Sequence, residues 1–113
     1  MKIAVIGSRN LDIDISPYIP VYCTAIISGG ARGIDTRAAK YARENGLDLI
    51  EFLPDYDQYG KMAPLVRNEK IIKEADLVVA LWDGYSKGTR YVINRCHALH
   101  KQIKIVTIQG MRK

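Results

Sequence analysis

Residues 26–35, IISGGARGID, decide the fold of this chain, because an apolar strand ends there in a glycine-rich turn and a helix begins. Glycine lets the backbone turn sharply and approach a ligand closely. The N–H groups of a first helical turn have no partner within the helix, so they attract anions. We therefore predict that this turn cradles a phosphate group, with Arg32 and Asp35 at its mouth. The alternative is a plain tight turn that only joins strand to helix.

The size and composition of the chain predict one domain over residues 1–113. Of these 113 residues, 48% are hydrophobic, which is enough for a single covered sheet. The longest apolar runs, such as residues 77–82, fall far short of the ~20 residues that a membrane span needs. Met1 leads into the first strand with only Lys2 between them, so we expect no secretory signal. We expect a cytoplasmic protein with no membrane partner.

Charge and cysteine content narrow the class of partner. The 17 Lys and Arg residues exceed the 12 Asp and Glu residues and give a net charge of +5, which favours phosphate-bearing partners. Cys23 and Cys96 have no paired spacing, which indicates reduced thiols rather than a disulfide. Cys96, His97 and His100 share a helix end, but a fourth ligand is missing, so we predict neither a metal site nor a cofactor.

Strands alternate with helices along the chain. We predict strands at residues 2–6, 24–28, 48–53, 77–82 and 103–108, and helices at 33–45, at 64–74 and after the turn 83–89, the last with an apolar stripe of Val92, Ile93, Cys96 and Leu99. Residues 55–63 are predicted to be an irregular loop that partly covers a site. Alternation of this kind indicates right-handed crossovers and a parallel sheet covered on both faces. The predicted fold is therefore an α/β, Rossmann-like three-layer sandwich with five strands in the order 3-2-1-4-5.

This strand order predicts where a ligand binds. Strands one and four lie side by side where the winding reverses, and a crevice opens there at their carboxyl ends. The turns after strands one, two and four therefore converge on one place. The first of these turns, GSR at residues 7–9, lacks the G-x-G-x-x-G pattern, which argues against a dehydrogenase.

Four motifs, in this order, resemble the SLOG superfamily, in particular its small YspA-like branch of single-domain proteins. They are GSR at 7–9, SGGARGID at 28–35, PLVRN at 64–68, and Gly84 with Gly88-Thr89. The resemblance covers nearly the whole chain. It implies a binding module or sensor for a nucleotide or a nucleotide-derived phosphate ligand. The ligand-binding residues predicted from the motifs and the resemblance together are Gly7, Ser8, Arg9, Ser28, Gly29, Gly30, Arg32, Gly33, Asp35, Arg67, Asn68, Gly84, Ser86, Gly88 and Thr89.

Two related groups imply alternative functions. Residues 28–35 and 67–72 are similar to the Rossmann domain of the DNA-processing protein DprA, which implies single-stranded nucleic acid as a partner. Arg67 and Gly88-Thr89 resemble the LOG nucleoside-monophosphate phosphoribohydrolases, but Val92 stands where their catalytic Glu is expected. A carboxylate there would assist cleavage of the bond between ribose and base. Without it, Asp35 or Asp83 would have to serve, so whether the protein is an enzyme is left open and no catalytic residue is predicted.

Three further expectations concern contacts at the surface. We predict that four tyrosines lie near the crevice: Tyr56, Tyr59, Tyr85 and Tyr91. If the partner is a nucleic acid, their rings would stack on its bases. A domain this small leaves helix faces exposed, which favours assembly into a homodimer or a larger homo-oligomer. The structural alternative to ligand binding is that Arg32 and Arg67 pair with Asp35 and Asp55.

Overall fold

A parallel sheet of five strands forms the centre of the protein. The computed structural model describes residues 1–30 and 33–108. The strands lie in the order β3-β2-β1-β4-β5 and every pair of neighbours is parallel, which confirms the predicted topology. Their bounds are β1 (Lys2–Gly7), β2 (Ala25–Ser28), β3 (Asp48–Glu51), β4 (Leu77–Trp82) and β5 (Ile103–Thr107).

Helices connect the strands, and all but the second lie in the predicted places. They are α1 (Ile34–Glu44), α2 (Tyr56–Tyr59), α3 (Ala63–Glu74) and α4 (Lys87–Ala98), with short 3-10 turns at Ser16–Tyr18 and Gly60–Met62. No helix in the described part of the chain has the length and apolar character needed to cross a bilayer.

The sheet is buried on both faces, as a doubly wound sheet requires. Alternate residues of β1 point to opposite sides, so that Ile3 and Val5 belong to one apolar cluster and Ala4 and Ile6 to the other. The first cluster includes the inner side of α1 and the segment that follows β1. The second includes α3 and α4. The predicted three-layer sandwich is therefore confirmed.

Two local predictions were wrong. Residues 55–63 are not an irregular loop, because the Asp55 carboxylate accepts a hydrogen bond from the Gln58 backbone N–H at 3.1 Å and so caps the short helix α2. Leu99 does not continue the apolar stripe of α4. It follows the last helical residue, Ala98, and its side chain is half exposed.

The topology brings three turns to one edge of the sheet. β1 and β4 pair directly over Ile3–Gly7 and Leu77–Leu81, and the chain winds away from them in opposite directions. The segments that follow β1, β2 and β4 therefore meet at the carboxyl ends of the strands, where ligands bind in open α/β sheets.

Candidate functional site

A cleft of about 470 Å³ opens at this edge. Its size is within the range of small-molecule sites. Its walls are formed by the turns after β1 and β2, the first half of α3 and the start of α4. The first turn of α1 also contributes to the lining. The described residues that line it are Ile6, Gly7, Arg9, Asn10, Gly29, Asp35, Pro64, Leu65, Arg67, Asn68, Ile71, Ser86, Gly88, Thr89 and Val92.

Most of the predicted site residues lie together in this cleft. Those that line it are Gly7, Arg9, Gly29, Asp35, Arg67, Asn68, Ser86, Gly88 and Thr89. Five others lie outside the lining, in the turns beside it or beneath it: Ser8, Ser28, Gly30, Gly33 and Gly84. Arg32 falls outside the described residues.

Arg67 is the anchored cation of the cleft. Its Nη1 donates a hydrogen bond to the Gly29 carbonyl oxygen at 2.9 Å, and its Nε donates to Asn68 Oδ1 at 2.9 Å. A guanidinium has five N–H groups, and these two bonds fix its plane without using them all. Arg67 therefore joins α3 to the turn after β2 and retains donors for a ligand.

The Arg67 side chain lies so close to the turn after β2 that there is no room for a side chain at position 29. A Cβ atom at position 29 would lie 2.6 Å from Arg67 Nη1 and 3.2 Å from its Cζ. Both distances are shorter than an ordinary van der Waals contact, so a larger residue at position 29 would displace the guanidinium. The glycine-rich turn thus accommodates the arginine as well as the backbone.

The electrostatics around Arg67 reflect partial burial and mixed neighbours. Burial lowers the pKa of its guanidinium below the ordinary value, and the positive charge of Arg9 acts in the same direction. The Asp35 carboxylate and Tyr56 oppose them. Arginine stays charged in proteins, so Arg67 is a cation that water solvates incompletely. Such a cation gains more than an exposed one from an anionic ligand.

Asp83 holds two of the turns together beneath the cleft. Its side chain is buried, and Oδ1 accepts hydrogen bonds from the backbone N–H groups of Tyr85 and Ser86, each at 2.8 Å. Burial alone would raise the pKa of Asp83. These two bonds, together with the side chains of Ser8 and Asn10, outweigh that effect and lower it. Asp83 therefore connects the turn after β1 to the start of α4.

The hydroxyl groups of Ser8 and Ser28 are used within the protein. Ser8 Oγ accepts a hydrogen bond from the Asp83 backbone N–H at 3.2 Å, and Ser28 Oγ accepts one from the Gly30 backbone N–H at 3.2 Å. Both serines are buried. These bonds shape the glycine turns in which the two serines lie, and contact of either serine with a ligand stays a prediction.

The start of α4 forms the opposite wall of the cleft. Ser86 is the N-cap residue, and its Oγ accepts from the Thr89 backbone N–H at 3.5 Å, a long and therefore weak bond. The Trp82 indole N–H donates to the Ser86 carbonyl oxygen at 3.1 Å, and the Arg90 guanidinium lies over the indole ring, 5.5 Å from its centroid. These contacts fix the turn that carries Gly88 into the lining.

Local sequence patterns do not indicate the apolar part of the cleft lining. Ile6, Ile71 and Val92 are nearly fully buried and belong to the lining of the cleft. Their spacing in the sequence is typical of residues packed in a core. Only the three-dimensional structure shows that they also border the cleft. Asn10 was missed as well, and the single available sign was its position directly after Arg9. Val92, which stands where a catalytic Glu was considered, contributes an apolar surface.

The four tyrosines are not among the described residues that line the cleft. Tyr91 donates its hydroxyl to Glu69 Oε2 at 3.0 Å, between α3 and α4. The Tyr59 ring lies 5.6 Å from the Lys70 ammonium group. Across residues 1–30 and 33–108, no group of three or more His, Cys, Asp or Glu side chains is placed to hold a metal ion.

Residues 17–59 match the model of a family described as "YAcAr: YspA, cpYpsA-related SLOG family". This range contains β2, the glycine-rich turn, the whole of α1, and β3 and α2. No curated protein and no solved structure matches the chain. The match at residues 17–59 supports membership of this chain in the SLOG superfamily.

Proposed function

We propose that this protein binds a nucleotide or a nucleotide-derived ligand in the cleft and holds it by its phosphate. Arg67 carries the proposal, because it is a half-buried cation fixed by two hydrogen bonds, with donors remaining and a second cation, Arg9, close enough to lower its pKa. Two like charges beside one cavity favour an anionic occupant.

Three further observations support this function. Membership of the SLOG superfamily is consistent with nucleotide-related binding. The apolar residues of the lining, among them the partly exposed Pro64 and Leu65, offer a surface for the flat face of a base or a sugar. Gly88 and Thr89 bring the first turn of α4 to the cleft, and its N–H groups favour negative charge.

The test is calorimetric titration of the protein with nucleoside monophosphates, cyclic nucleotides and ADP-ribose. A charge-assisted hydrogen bond contributes about 1.5–3 kcal/mol, so Arg67→Ala should weaken binding by about ten- to a hundredfold. Arg43→Ala is the matched control, because Arg43 is exposed near the end of α1, away from the cleft. It removes the same charge and should leave the affinity unchanged. Equal affinities for wild type and Arg67→Ala would contradict the proposal.

The same ligands distinguish binding from hydrolysis. Because Val92 presents an apolar side chain to the cleft, we expect nucleoside monophosphates to be recovered intact after incubation with the protein. Chromatography would reveal free base if the bond between ribose and base were cleaved, and that result would favour the phosphoribohydrolase alternative. Salt-sensitive binding of single strands, with no binding of mononucleotides, would instead favour a nucleic-acid partner.

A further inference from the structure

Asp35 is the feature of the cleft that phosphate binding does not explain. It lies in the first turn of α1 and lines the cleft. Its charge is close enough to Arg67 to oppose the lowering of the pKa of that guanidinium. A carboxylate repels a phosphate group brought near it. Because Asp35 lies in a cleft whose arginines favour an anion, we expect Asp35 to have a role other than phosphate binding.

The hydrogen-bond donors and acceptors that line the cleft suggest this role. The side chains of Arg9 and Arg67 can only donate, Asn68 Oδ1 accepts from Arg67 Nε, and Ser86 Oγ donates to Thr89 Oγ1. Asp35 is the one carboxylate among the described residues that line the cleft. An ionised carboxylate can only accept, and its two oxygens offer about four lone-pair positions. Asp35 has contacts within the protein, and a carboxylate can accept from a ligand while it keeps such contacts. A ligand that suits both kinds of group carries an anion and hydroxyl donors together.

We propose that Asp35 selects nucleotides that carry a ribose with both hydroxyl groups, by accepting hydrogen bonds from the 2′- and 3′-hydroxyls while Arg67 holds the phosphate. This inference rests on the proposed function. A nucleotide attaches its phosphate and these hydroxyls to one furanose ring, so a single cleft can contact both. Carboxylates recognise ribose hydroxyls in other nucleotide-binding α/β folds, although from a position further along the chain than the first helical turn.

The competing role for Asp35 is structural. A carboxylate in the first turn of a helix interacts favourably with the helix dipole, and Asp35 also lies near the charge of Arg67. Asp35→Asn removes the charge and keeps the shape. A purely structural role predicts that this substitution changes the affinity for every nucleotide by the same factor. Selection by Asp35 predicts a change that depends on the sugar.

The experiment compares the four ribonucleoside 5′-monophosphates with their 2′-deoxy and 3′-deoxy analogues. Hydrogen bonds to charged groups are strong enough that wild type should bind the ribonucleotide that it prefers about tenfold more tightly than at least one of its deoxy analogues. Asp35→Asn should remove this preference, because ribonucleotide binding falls relative to binding of the deoxy analogue, and retained binding of the deoxy analogue would show that the variant is folded. Asp48→Asn, at the opposite end of the sheet in β3, is the matched control and should keep the preference.

Each outcome separates the inference from the proposed function. If wild type binds ribo- and deoxynucleotides equally, the selection is refuted while nucleotide binding stands. If the preference exists but persists in Asp35→Asn, the assignment to Asp35 is refuted. If wild type binds none of these nucleotides, and neither cyclic nucleotides nor ADP-ribose, while the folded state is retained, the proposed function fails and this inference fails with it.

Discussion

Substitution of Gly29 by Ala tests how the cleft holds its principal cation. The new Cβ atom would lie 2.6 Å from Arg67 Nη1 and 3.4 Å from its Cδ. The backbone of Gly29 is not in the left-handed region, so Ala fits there without strain in φ. The conflict is therefore with the end of a flexible side chain. We expect the guanidinium to move and to lose its hydrogen bond to the Gly29 carbonyl oxygen.

The effects on stability and on affinity should differ in size. Loss of a hydrogen bond from a half-buried charge costs about 1 kcal/mol after allowance for solvent screening. Replacing Gly by Ala restricts the unfolded chain and returns about 0.4–1 kcal/mol. The free energy of unfolding should thus change by less than about 1 kcal/mol. A displaced Arg67 loses its bond to the ligand, about 1.5–3 kcal/mol or about ten- to a hundredfold in Kd.

Calorimetric titration and urea denaturation measure the two effects in one preparation. Gly46→Ala is the matched control, since Gly46 lies just after α1 with a φ of 65° and no atom within 4 Å of an added Cβ. Ala in the left-handed region costs about 1–2 kcal/mol, so this variant should lose stability and keep its affinity. Wild-type affinity in Gly29→Ala, or an equal loss of affinity in both variants, would refute the reasoning.

Three further predictions concern the support of the site and the core. Asp83→Ala removes the acceptor of two partly buried N–H groups and should lower the free energy of unfolding by about 2 kcal/mol in urea denaturation; no loss would contradict its connecting role. The hydrogen bonds from Arg95 lower the pKa of Glu69 below its ordinary value of 4.5. The ion pair therefore stabilises the fold above pH 4.5, and this stabilisation is lost as the pH falls through the lowered pKa. The difference in free energy of unfolding between wild type and Glu69→Gln should therefore become smaller below pH 4.5. A difference that grows below this pH would contradict the stabilising role of the pair. Leu81→Ala, at a fully buried position, should cost about 2–5 kcal/mol, whereas Leu99→Ala should cost less than about 1 kcal/mol because its side chain is half exposed.

The sheet could be predicted because its strands carry strong local signals. Residues 77–82 are apolar without alternation, as a strand buried on both faces must be. Helices between successive strands force parallel pairing. The order 3-2-1-4-5 is one of the few doubly wound arrangements, and it places β1 between β2 and β4, so that the turns after these three strands are neighbours.

The details of the cleft were harder to predict, because they depend on contacts distant in sequence. The Arg67–Gly29 hydrogen bond spans 38 residues, and no local pattern indicates it. Ser8 and Asp83 are 75 residues apart, so the internal use of the Ser8 hydroxyl is visible only once β1 and β4 are paired. The helix α2 had a local signal, a capping Asp55 three residues before Gln58, which the glycine and tyrosine content of the segment obscured.

The central claim is that separate turns of this chain form one binding site for a nucleotide phosphate. An NMR titration of the 15N-labelled protein with the tightest-binding nucleotide tests it most directly. The account predicts that the amide signals of Gly29, Gly88 and Thr89 shift together with a single Kd, while those of Asp48 and Asp76 at the opposite end of the sheet stay fixed. Shifts confined to one turn, or shifts centred on the opposite end, would contradict it.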